Sequence, residues 1–149
     1  MVDGKVEIRV KETLLYRVRN AVGTNMFRRL YADVDGKTKD ILEDGDKSCA
    51  VFATTMLISL GLCTFVHATV EGAVRDMESF GWNPIRAPQP GCVVIWRVID
   101  APGKEHLHIG FYAGNGQAIS NSSKEGNPQY HPLKAHRVHA LYWHPMLEG

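Results

Sequence analysis

A thiol beside an imidazole makes a nucleophile with its own base, and two residues of this chain have the setting for that chemistry, Cys49 and His108. Cys49 opens an apolar run, Cys49-Ala-Val-Phe-Ala-Thr-Thr-Met-Leu-Ile-Ser-Leu-Gly61, that follows the polar stretch Lys37 to Lys47. Phe52, Met56 and Leu60 recur at four-residue spacing, which predicts a buried helix stopped at Gly61 and capped by Asp46 or Ser48. Cys49 then lies in the first helical turn, where the helix dipole and unpaired N–H groups favour thiolate over thiol and are placed to hold an oxyanion. The competing reading is a small core cysteine, and Cys63, among apolar residues, fits that better. His108 stands in His106-Leu-His108-Ile-Gly-Phe-Tyr, on an expected strand from which a neutral imidazole can take the thiol proton and return it to a leaving amine. Taken alone it is one of seven histidines facing a sheet surface.

The elements that must bring the two together change in character near residue 90, from helical spacing to short β-rich runs. Val6, Ile8 and Val10 alternate with charged residues and predict a short strand, and Glu12 to about Tyr31 predicts a helix interrupted near Gly23 and Thr24. A further helix is expected over Thr69 to Ser79, ended by Gly81. Pro88, Pro90 and Gly91 announce a turn before the strand Cys92 to Ile99. His106 to Ala113, the turn Gly114-Asn-Gly116 and Gln117 to Ser122 form a hairpin, and Ala140 to Trp143 is a last short strand. The expected class is α+β, with the Cys49 helix packed on an antiparallel sheet, as a single domain over 1–149: a helical N-terminal part, 1–45, and a core carrying the chemistry, 46–149.

Composition narrows the function classes. With 44% hydrophobic and 22% charged residues, the chain has the balance of one globular domain. Lys+Arg 17 against Asp+Glu 16 leaves a net charge of +1, so no overall field attracts a phosphate backbone. Arg17, Arg19, Arg28 and Arg29 read as a solvated helix face, and no nucleic-acid partner is expected. No run is long and apolar enough for a leader or a membrane span, so neither a membrane partner nor signal-dependent export is expected; the sequence leaves the location unknown, with the cytoplasm or a signal-independent route as the expectation. Three cysteines without Cys-x-x-Cys spacing suggest no disulfide framework or zinc knuckle. His106-x-His108 with His131, His136, His139 or His144 offers imidazole ligands, but no Asp or Glu stands beside them in ligand spacing, and no metal or cofactor is expected.

The Cys-led apolar helix, Pro90-Gly91 with Val-Val-Ile-Trp, and His108-Ile-Gly-Phe-Tyr-Ala-Gly-Asn-Gly together resemble the NlpC/P60 cysteine peptidases, papain-like hydrolases of bacterial cell-wall peptides. The resemblance runs from about Asp46 to Ser123, with Cys before His as in unpermuted members. Two positions depart from it: Lys47-Ser48-Cys49-Ala50 replaces the usual Asp-Cys-Ser-Gly, and Gly91-Cys92 replaces Gly-Asp. What the resemblance implies is a cysteine hydrolase of amide bonds in peptidoglycan stem or cross-bridge peptides. Its partners would be that peptide and, in interbacterial killing, an inhibitor or immunity protein. A peptide-binding module on the same fold and a thiol acyltransferase are the alternatives; the latter often have permuted order. Relatives carry a third polar residue on the strand after the base, which orients the imidazole. If Asn115-Gly116 is a two-residue turn, Gly114 pairs with Gln117 and Asn121 shares the face of His108; a bulge shifts the pairing so that Ser120 does. The family spacing points at Ser120, whereas an amide orients imidazole better than a hydroxyl, which selects Asn121. Tyr31 and Trp82 can be read as groove walls, though core aromatics are the commoner outcome.

Overall fold

The computed structural model describes residues 4–149. The expected strand at Val6 to Val10 does not form: residues 6–9 have no regular structure, Ile8 is exposed, and helix α1, Val10–Asn20, begins where the strand should end. Alternation alone makes no strand without a neighbour to pair with. Helix α1 buries Leu14, Leu15 and Val18 and ends well short of Tyr31. The chain turns through Gly23 (φ 81°), whose N–H donates to the Pro128 carbonyl at 2.8 Å. Strands β1, Tyr31–Val34, and β2, Lys37–Asp40, then form a hairpin just beyond the expected end of that helix, in a stretch where no strand was expected. Its turn is Asp35-Gly36, both at positive φ (51° and 79°), the backbone a two-residue hairpin of the Asp-Gly kind requires.

Helix α2, Cys49–Ile58, is apolar on nearly all sides and correspondingly buried, from Ala50 to Thr54 and again at Met56 and Leu57. Helix α3, Val70–Ser79, is amphipathic, with Val70, Ala73 and Met77 inward and the Thr69 hydroxyl accepting from the Gly72 N–H. After it come β3, Asn83–Ile85; β4, Val93–Ala101; β5, Lys104–Gly114; β6, Gln117–Ser122; β7, Asn127–Pro132; and β8, Arg137–Trp143. These six strands make one antiparallel sheet in the order β3-β8-β4-β5-β6-β7.

The middle of the sheet, across β4, β5 and β6, is buried on both faces. On one, α2 packs over β5 and β6, with Phe52 edge-to-face between Phe27 and Phe111 at centroid separations of 5.2 and 5.7 Å. Trp82 belongs to the core and donates its indole N–H to the Leu62 carbonyl at 2.7 Å. Trp96 lies in the opposite face, fully buried, its indole N–H donated to the Leu133 carbonyl at 2.8 Å in the link between β7 and β8.

Candidate active site

Strands β5 and β6 are paired only as far as Gly110 and Ser120; beyond that point β5 runs back to Lys104 and β6 on to Ser122 as separate strands. The start of α2 reaches this split. Cys49, partly exposed, lines a cleft there together with Glu71, Asp100, His106, His108 and Asn121. Three backbone N–H groups face its sulfur, those of Ile109 on β5, of Ala50 and of Cys49 itself. Ser48 occupies the N-cap position without a side-chain capping bond, and its buried hydroxyl has no partner among the described residues. Neither of the expected caps thus consumes the amides at the helix start, which stay available to the sulfur. Burial nevertheless outweighs these donors and raises the Cys49 thiol above its ordinary value. The helix N-terminus was expected to favour thiolate, but the loss of water around a partly enclosed sulfur is the larger effect.

His108 lies between this cleft and a second opening lined by Ser120, His131 and His136. Its ring leans on Trp96 with centroids 5.5 Å apart, and its Nε2 is hydrogen-bonded to Ser120 Oγ at 2.8 Å. Ser120 Oγ is in turn bonded to His131 Nε2 at 2.6 Å, and His131 Nδ1 meets the Pro132 carbonyl at 2.9 Å. Burial drives the His108 pKa down to about 3, with His131, His136 and His106 adding to the shift, so the imidazole is neutral at physiological pH. Burial lowers that of His131 as well.

Ser120, rather than Asn121, is therefore the residue against His108. Asn115 and Gly116 do form the two-residue turn, at φ 54° and 75°, and Gly114 does pair with Gln117. Ala113 is then an extra residue: Tyr112 pairs with Ala118 and Gly110 with Ser120. This bulge moves the register by one and turns Asn121 to the opposite face. Gly114, at φ 97°, permits the bend, and the freed Ala113 carbonyl accepts from the Arg19 guanidinium of α1 at 2.9 Å. Asn121 is buried and donates from Nδ2 to the Gly45 carbonyl at 2.8 Å, tying down the loop that leads into Cys49; its Oδ1 has no partner among the described residues. Gly110 completes the fit, since a Cβ there would come within 2.5 Å of the Ile119 carbonyl oxygen and 2.6 Å of Ser120 Cβ.

Sequence reasoning missed the link from Ser120 to His131. No element was expected over Asn127-Pro-Gln-Tyr-His-Pro132, yet β7 forms there as an edge strand, the place where proline is tolerated in a sheet. Tyr31 is exposed and its hydroxyl accepts from Arg29, away from the cleft. Arg28 and Arg29 lie beyond α1 and both clamp Asp44, holding its carboxyl down at about 2. Of the other histidines, His106 pairs with Asp100 at the cleft, His136 lines the second opening, His67 pairs with Asp76, His139 with Arg97, and His144 with the Phe80 carbonyl. Among the described residues no three His, Cys, Asp or Glu side chains are grouped to hold a metal ion.

Helices preceding an antiparallel sheet, with a cysteine-led helix docked against it and a histidine on a long central strand, define an α+β, NlpC/P60-like fold. A solved structure of NlpC2 from Trichomonas vaginalis matches it with a TM-score of 0.53 at 18% identity, over 95% of this chain and 49% of that one. The chain thus spans about half the length of that structure, and the likeness is one of fold. No family model matches the sequence, and no curated protein does.

Proposed function

We propose that this chain is a cysteine hydrolase that cleaves amide bonds in peptidoglycan-derived peptides, with Cys49 as nucleophile and His108 as base. The observation that carries the reading is the convergence of a helix-start thiol, three backbone N–H groups and a neutral imidazole on one cleft. With the thiol raised and the imidazole lowered, the resting pair is uncharged, so the proton moves as the bond forms. A substrate carbonyl carbon is attacked by Cys49 Sγ while His108 takes the thiol proton. The carbonyl oxygen becomes an oxyanion held by backbone N–H groups at the start of α2. Collapse breaks the C–N bond, and His108 returns its proton to the leaving amine. A water molecule, deprotonated by His108, then attacks the thioester, releasing the carboxylic acid and the free thiol. The cell-wall substrate is carried over from the family resemblance, with which the NlpC/P60-like fold is consistent.

The test is incubation with peptidoglycan stem and cross-bridge peptides, with products identified by mass spectrometry. Cleavage by the native chain is expected, and its loss in Cys49→Ala, in His108→Ala and after alkylation at Cys49 alone. A second reading, a module that holds a peptide without cutting it, is favoured by the raised thiol. Saturable binding of the intact peptide with no product would establish that reading and defeat the first.

A further inference from the structure

The hydrogen bonds around Ser120 have a direction, because one end of the chain is a group that can only accept. The Pro132 carbonyl has no proton, so the 2.9 Å contact requires the hydrogen of the His131 ring on Nδ1. A neutral His131 then presents a lone pair at Nε2. Ser120 has a single hydrogen, and the 2.6 Å contact to that lone pair uses it. The serine oxygen is left to accept across 2.8 Å, which requires the hydrogen of His108 on Nε2. His108 Nδ1 is consequently bare, and it is the ring nitrogen left for the thiol proton.

We infer that His131 is a positioning residue which, through Ser120, fixes His108 in the tautomer whose Nδ1 is unprotonated. The consequence for catalysis rests on the reading of Cys49 and His108 as the reacting pair; the tautomer assignment itself does not. Packing supports a concerted unit. Trp96 is a common wall for both imidazoles, with centroids 5.5 Å from His108 and 5.1 Å from His131. Ser120 is 3% exposed, and its hydroxyl lies between the two rings, bonded to both. Without His131, that hydroxyl is free to rotate and donate to His108 Nε2, which moves the ring hydrogen to Nδ1 and blocks it as a base.

The test is nitrogen-15 long-range correlation of the histidine side chains in the uniformly labelled chain at neutral pH, which reads each tautomer directly. Opposite tautomers are expected, Nε2–H for His108 and Nδ1–H for His131. Finding the same tautomer for both overturns the inference, with no variant needed. In His131→Leu, His108 should shift toward the Nδ1–H form and kcat should fall about tenfold or more, with KM little changed. His131→Gln, whose side-chain oxygen can accept from Ser120, should restore both. A His131→Leu chain that keeps the native His108 tautomer and kcat also overturns it. Native tautomers in a chain that cleaves no peptide would sink the hydrolase reading and leave the relay standing.

Discussion

Acid should unfold this protein through His108 before it does so through carboxylates. The ring titrates near 6.5 in the unfolded chain and at about 3 in the folded one. Between those values the unfolded state binds the extra proton, so stability rises with pH across the window and is lost as pH falls. A full unit within the window is equivalent to about 1.4 kcal/mol. From pH 6.5, where the unfolded imidazole is half protonated, to pH 5, the loss from this one group comes to about 1.6 kcal/mol. That figure is set almost entirely by the unfolded value, because the folded ring stays neutral throughout the interval. His131, also lowered by burial, adds loss of the same sign. Asp44 and Asp76 have lowered values, so their contributions fade only as pH falls below the ordinary carboxylate range, outside the interval. Urea denaturation at half-unit steps from pH 6.5 to 5, followed by tryptophan fluorescence, measures the loss in the native chain and in His108→Gln. The native chain should lose about 1.6 kcal/mol more than the variant across the interval. Parallel curves would mean that the folded site accommodates an imidazolium, and the neutral resting pair would have to be abandoned.

Two substitutions probe the geometry around the split strands. Gly110→Ala forces a Cβ against the Ile119 carbonyl and Ser120, and should lower stability by about 1–3 kcal/mol in denaturant titration and perturb the Ser120 bond to His108; unchanged stability would contradict the packing described. Asn121→Ala leaves the Gly45 carbonyl without its donor and should lower stability by about 1–3 kcal/mol while the His108 tautomer stays as in the native chain. A changed tautomer in that variant would return Asn121 to the orienting position expected from sequence.

The sequence spelled out the parts of the site that depend on local pattern. Four-residue apolar spacing located α2 and placed Cys49 in its first turn, Thr69 marked the start of α3, and Asn115-Gly116 located the β5–β6 turn. What escaped it depends on contacts across the chain. The bulge at Ala113 is held by Arg19, 94 residues earlier, and no local rule reports such a partner. Strand β7 is written in prolines and forms because β6 offers it an edge. The β1–β2 hairpin has polar residues on both faces, so neither alternation nor hydrophobicity marked it, although Asp35-Gly36 was a turn signal in plain view. The raised thiol at Cys49 is a property of enclosure, which a helix start alone does not disclose.

The bulge at Ala113 also bears on how such a site can change over evolutionary time. Ser120 and Asn121 sit side by side on one strand, and which of them meets the imidazole is decided by a single surplus residue in the hairpin. Were Ala113 drawn into the ladder opposite Ala118 instead of bulging, β6 would slide by one position and put an amide where a hydroxyl now stands, with no change at either residue. The bulge is held by the left-handed Gly114 and by the Arg19 bond to the Ala113 carbonyl, so a substitution at either favours the regular pairing. The third member of the site can therefore be exchanged by substitutions that straighten one bulge, in a segment that itself never touches the cleft, and the His131 relay would lose its serine in the same step.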